Sequence, residues 1–161
     1  MNTKNINNPL KNTKGLTLIE LVAAVAILAI IIVPLTMMTV RGISAYYHEQ
    51  EKIELMESGQ FALFKISKQI RLSDGVASTD SNYVSASIGG TEYKYEYTSS
   101  TNELIEYIGV SGTGNAIAEN ITGFSPSLSL SGALLSIDLE LTGPKYGEIV
   151  NLKTSIYLRN Q

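Results

Sequence analysis

Four patterns of apolar and polar positions follow one another along this 161-residue chain. Residues 1–14, MNTKNINNPLKNTK, are polar, rich in asparagine and free of acids. From Leu16 to Val40 the chain is apolar almost throughout, and Glu20 is the only charge. Beyond Val40, Ile53, Met56, Leu63, Ile66 and Ile70 recur at steps of three, four and seven, the period of a helix with one buried stripe. From about Val76 onward, apolar and polar residues alternate in short runs separated by glycine, serine and asparagine, as half-buried strands do.

These patterns predict one helix from about Thr17 to Leu72, with soft points at Pro34, Gly42 and Gly59. Its first half is long enough to span a membrane, which takes about 20 residues. Lys65, Lys68 and Arg71 suit its C-terminal end, and Ser73-Asp74-Gly75 stops it. The strands follow. Tyr83 to Ile88 leads into a hairpin turn at Gly89-Gly90. Thr91 to Tyr97 alternates aromatic with polar residues, Ser99 to Asn102 turns the chain, and Glu103 to Val110 runs back. Ser111 to Asn115 reads as a flexible loop. Leu135, Ile137, Leu139 and Leu141 share one face, Gly143 to Gly147 turns, and Val150, Leu152, Ile156 and Leu158 point one way in the last strand. The expectation is an α+β fold: one antiparallel sheet covered by the second half of the helix. Boundaries fall at 1–15 for a basic leader, 16–40 for the membrane half of the helix, 41–72 for its amphipathic half and 73–161 for the sheet domain.

Charge sharpens this organisation. Lys4, Lys11 and Lys14 hold the leader on the cytoplasmic side, and the sheet domain goes outside. Without those lysines the 15 acidic residues outnumber the basic ones by about six, a poor balance for holding nucleic acid. The chain has no cysteine and one histidine, which excludes disulfides, thiolate metal sites and histidine clusters. A secretory signal is the competing reading of the apolar run. Its apolar part is about 7–15 residues long and ends at a small-x-small cleavage site. Here the run is longer, and Ala24-Val25-Ala26 lies inside it. Glu20 stands out, because a charge at mid-membrane costs roughly 2.5–3.5 kcal/mol, though less near the interface.

The stretch Lys14-Gly15-Leu16-Thr17-Leu18-Ile19-Glu20-Leu21 resembles the N-terminal signature of type IV prepilins and pseudopilins. That resemblance implies cleavage by a prepilin peptidase between Gly15 and Leu16, N-methylation of Leu16, and a role for Glu20 in filament assembly, where it meets the new amine of a neighbouring subunit. The family most often has phenylalanine where Leu16 stands. It also implies a pilin-like shape, with the first half of a long helix packing among subunits and the second half on a sheet. The implied partners are the peptidase, other pilin or pseudopilin subunits, inner-membrane assembly machinery and the membrane itself, with no direct nucleic acid and no cofactor. Gln60 to Arg71 resembles the same region of J-type minor pseudopilins and related minor pilins. Many pilins of Gram-negative bacteria close their C-terminal region with a disulfide, which this chain lacks. One tip subunit of secretion systems lacks the glutamate, which this chain keeps.

Other features carry blander readings. Tyr93, Tyr95 and Tyr97 share a strand face and are expected to pack in the core rather than form a sugar or base platform. Glu49, Glu51, Glu54 and Glu57 read as a solvated face, and His48 as plain surface. Asp80-Ser81-Asn82 offers too few ligands for a calcium loop. Gly112-Thr113-Gly114 lacks the third glycine of a dinucleotide fingerprint, and no P-loop, HExxH or G-x-S-x-G occurs. Asn120-Ile121-Thr122 fits the glycosylation acceptor pattern without further support. No catalytic constellation is expected. The rival to a filament subunit is a membrane-anchored binding domain that never polymerises.

Overall fold

A computed structural model describes residues 15–109, 112–129 and 132–158. The leader up to Lys14, Val110 of the third predicted strand and Ser111 of the predicted loop lie outside the described residues. The chain divides into two units, residues 1–44 and 45–161.

One helix, α1 (Leu18–Leu72), carries the chain through both units. Pro34 and Gly42 do not interrupt it. In the first unit every described residue of α1 is exposed, although nearly all are apolar. Two polar side chains there turn back on the helix: the Thr36 hydroxyl donates to the Val33 carbonyl at 2.8 Å and the Thr39 hydroxyl to the Leu35 carbonyl at 3.0 Å. A hydroxyl satisfied by its own helix is compatible with surroundings that offer no hydrogen bonds.

In the second unit the helix packs on eight strands: β1 (Val76–Thr79), β2 (Tyr83–Ile88), β3 (Thr91–Thr98), β4 (Glu103–Ile108), β5 (Asn115–Ala118), β6 (Ile121–Leu128), β7 (Leu134–Thr142) and β8 (Ile149–Tyr157). All neighbours are antiparallel. They form two sheets, β1-β2-β3-β4-β5 and β6-β7-β8, rather than the single sheet expected. The break falls between β5 and β6, at Asn120, which adopts a left-handed φ of 61°. Ile121 then donates its N–H to the Asn102 carbonyl at 2.9 Å instead of extending the first ladder.

The hairpin turn at Gly89-Gly90 is present, with φ of 56° and 84°, values that side chains resist and glycine accepts. Alternation on β7 buries Leu135, Ile137, Leu139 and Leu141, as the pattern predicts. On β8, Val150 and Ile156 are buried, with Leu152 and Leu158 packed beside them. Tyr95 lies in the core with Tyr93 and Tyr97 against it, as expected of one strand face.

The buried stripe of α1 is Glu51, Leu55, Gly59, Ala62, Leu63, Ile66 and Ile70. Leu63, Ile66 and Ile70 match the expectation, and Met56 is only partly buried. Ile53 does not match: it is 52% exposed. The true stripe runs through Leu55, Gly59 and Ala62, one step around the helix. Gly59 is a contact rather than a soft point. A Cβ placed there would meet Leu152 Cδ1 at 2.5 Å and Leu141 Cδ1 at 2.9 Å, so the missing side chain lets the helix backbone approach β7 and β8.

A buried carboxylate ties the helix to the first sheet. Glu106 on β4 accepts from Lys65 Nζ at 2.5 Å and from the Tyr95 hydroxyl at 3.0 Å. Burial and the adjacent Glu106 charge push the Tyr95 phenol pKa far above its ordinary value.

Candidate functional site

The site begins with three residues that precede the helix. Gly15, Leu16 and Thr17 are non-helical, and α1 starts at Leu18. Thr17 is the cap. Its N–H and its hydroxyl both donate to Glu20 Oε2 at 2.8 Å. The Glu20 N–H points back to Thr17 Oγ1 at 3.4 Å, and the N–H groups of Glu20 and Leu21 reach the Thr17 carbonyl at 3.1 and 3.2 Å. This reciprocal arrangement is a capping box, in which a threonine and a glutamate three residues on satisfy each other's backbone donors. The negative side chain also lies in the first turn, where the helix dipole favours it. Thr17 was not foreseen as a functional residue, yet the T-x-x-E spacing before an apolar run is the sequence signal for it.

Gly15 and Leu16 have open surroundings. A Cβ built on Gly15 meets nothing within 4 Å, and Leu16 is exposed. Packing therefore places no demand for glycine at position 15. Beyond the box, α1 is long and apolar enough to cross a membrane. Through Val40 no second charge follows Glu20.

The model for the prokaryotic N-terminal methylation motif matches residues 10–36. The chain carries a type IV prepilin signature. Neither a curated protein nor a solved structure matches it. The matched residues include Gly15, Leu16, Thr17 and Glu20. The long helix packed on antiparallel sheets is a pilin-like architecture. The prepilin motif and the apolar helix together are consistent with anchoring in a membrane.

Of the residues read as surface, two hold a turn in place. Glu51 is buried, unlike its exposed neighbours Glu49, Glu54 and Glu57. Its Oε1 accepts the N–H of Lys145 at 2.9 Å, and both its oxygens accept the N–H of Tyr146, at 3.2 and 3.1 Å. A Cβ on Gly143 would overlap this carboxyl and push it aside. His48 Nδ1 lies 2.8 Å from Glu148 Oε1, and its ring sits 4.5 Å from that of Tyr146. The β7–β8 turn predicted at Gly143 to Gly147 is thus fastened to the helix by side chains expected to be free. The reason is distance along the chain: partners about 95 residues away leave no local periodicity.

Asp80 closes a tight turn, accepting from the Ser81 N–H at 2.7 Å. Among the described residues no group of three or more His, Asp or Glu could hold a metal ion.

Proposed function

We propose that this chain is the precursor of a structural subunit, a minor pilin or pseudopilin, of a type IV pilus-like filament. The observation that carries the reading is the methylation motif set on a helix whose segment up to Val40 is apolar all round, uncovered, and charged at Glu20 alone. A prepilin peptidase cuts between Gly15 and Leu16, and the new amine of Leu16 is methylated. The open space around Gly15 supports this, because the fold itself has no use for a glycine there. Apolar surface of this extent needs lipid or neighbouring helices around it. The subunit starts in the cell membrane with its N-terminus cytoplasmic and its sheet domain outside. It then joins other subunits through the membrane assembly machinery in a filament that serves adhesion or motility, secretion or DNA uptake.

Glu20 sets the register of assembly by meeting the Leu16 amine of a neighbour. An isolated carboxylate in low dielectric is costly and a paired one much less so. Two measurements test the reading. Mass spectrometry of the native protein should show Leu16 as first residue, carrying a methyl group. An intact residue 1–15 extension in cells that possess the peptidase overturns the reading in favour of a plain anchored domain. Glu20→Ala should be cut normally but recovered mainly from the membrane, at least about tenfold depleted from filaments, the equivalent of a lost charge-assisted contact of about 1.5 kcal/mol. Unchanged incorporation would remove the pairing role of Glu20.

A further inference from the structure

The outward face of α1 in the second unit carries two matching rows. The first is Ile53, Glu57 and Phe61, and the second is Phe64, Lys68 and Leu72. Each row steps by four residues, the spacing of a ridge on a helix surface. Each is apolar at both ends and charged in the middle, and the two charges are opposite. Ile53 is 52% exposed, Phe61 58%, Phe64 67% and Leu72 60%, although all are large and apolar. Glu57 and Lys68 are exposed too, and neither joins an ion pair among the described residues. Every member of the first row lies eleven residues from its counterpart in the second. Eleven residues make about three turns and roughly 16 Å of rise, so both rows lie on one face of the helix.

We infer that this face docks a second copy of the same chain, with row 53-57-61 of one copy against row 64-68-72 of the next. The offset brings Ile53 to Phe64, Glu57 to Lys68 and Phe61 to Leu72. No offset gives the opposite result: in parallel copies Glu57 faces Glu57 and Lys68 faces Lys68, and like charges repel. An antiparallel pair matches the charges but closes at two copies. Copies anchored in one membrane by the same N-terminal segment leave it in the same sense, which selects the parallel, displaced contact. Such a contact is head-to-tail. Each copy keeps one unused row; because both rows lie on one face, its two neighbours clear each other only when the helices cross at about the 50° of ridge-to-ridge packing, and addition then continues without closure. The inference rests on reading the chain as a filament subunit and supplies that reading with a contact on the sheet-domain side of the helix.

The absence of native cysteine makes the test clean. The double variant Glu57→Cys with Lys68→Cys is made in the full chain and oxidised in the native membrane fraction. Within one copy the two thiols are about 16 Å apart along the helix, too far for a disulfide, whose Cα atoms lie about 4.4–6.8 Å apart. The expected result is a ladder of disulfide-linked oligomers. Either single variant alone should give no ladder. A second double variant, Phe61→Cys with Leu72→Cys, keeps the charges and should give the same ladder. Adding Glu57→Lys to it should weaken the ladder roughly fivefold, and adding Lys68→Glu as well should restore it. A product that stops at dimer, or no product from either double variant, overturns the contact. The N-terminal mass read on the same samples reports cleavage after Gly15 separately, so a failed contact and a failed filament reading are told apart.

Discussion

Glu51 and Glu106 both leave water, and they do so for different partners. Glu51 accepts backbone N–H groups from a turn, and Glu106 accepts a lysine and a phenol. Truncating Glu51 strands two donors, a loss of about 1–3 kcal/mol. We expect Glu51→Ala to lower the urea midpoint and to speed amide exchange at Lys145 and Tyr146, while exchange on β3 and β4 changes less. Tyr95 gives a pH prediction. Its phenol pKa is raised in the folded state, so the unfolded chain loses the proton first. The stability it contributes is complete below the ordinary phenol value of about 10 and is lost as pH rises above it. Tyr95→Phe should therefore unfold with a shallower pH dependence above about pH 10 than the parent. At this scale the sequence is only partly legible. Four glutamates on one helix look alike, and what separates Glu51 from Glu49, Glu54 and Glu57 is a turn about 95 residues away.

At the scale of elements, periodicity served well wherever a side-chain pattern repeated. The helix ends at Leu72, and the alternation on β7 became its buried face. It failed where strands were short or carried turn residues. β5 has four residues, and β6 contains Gly123, Ser125 and Pro126. Proline is tolerated in β6 because that strand is the edge of its sheet, where a missing donor breaks no inner ladder. The single expected sheet became two for the same reason, since the missed strands flank the break. Gly59 shows a third limit. Inside a helix pattern glycine reads as weakness, yet here it sets the distance between layers. Gly59→Val should destabilise the domain by about 1–3 kcal/mol, as overpacking does, despite the better helix propensity of valine. A lowered thermal midpoint would bear this out.

Over the whole molecule, every core residue among the described ones lies between Leu55 and Leu158, and none of them comes from the first unit. A chain beginning at Ala45 should thus fold, remain in solution without detergent and unfold cooperatively. Circular dichroism with urea titration checks this, and the full chain should need detergent. The anchor unit has different physics, concentrated at its first turn. There Glu20 already takes two 2.8 Å bonds from Thr17. On the filament reading proposed above, a subunit waiting in the bilayer would not expose a bare anion to hydrocarbon. Its acid is held by its own Thr17, through one backbone N–H and one hydroxyl, and an arriving cation would have to displace a satisfied partner rather than fill an empty place. On that reading the threonine sets how readily the waiting form gives way to the joined one.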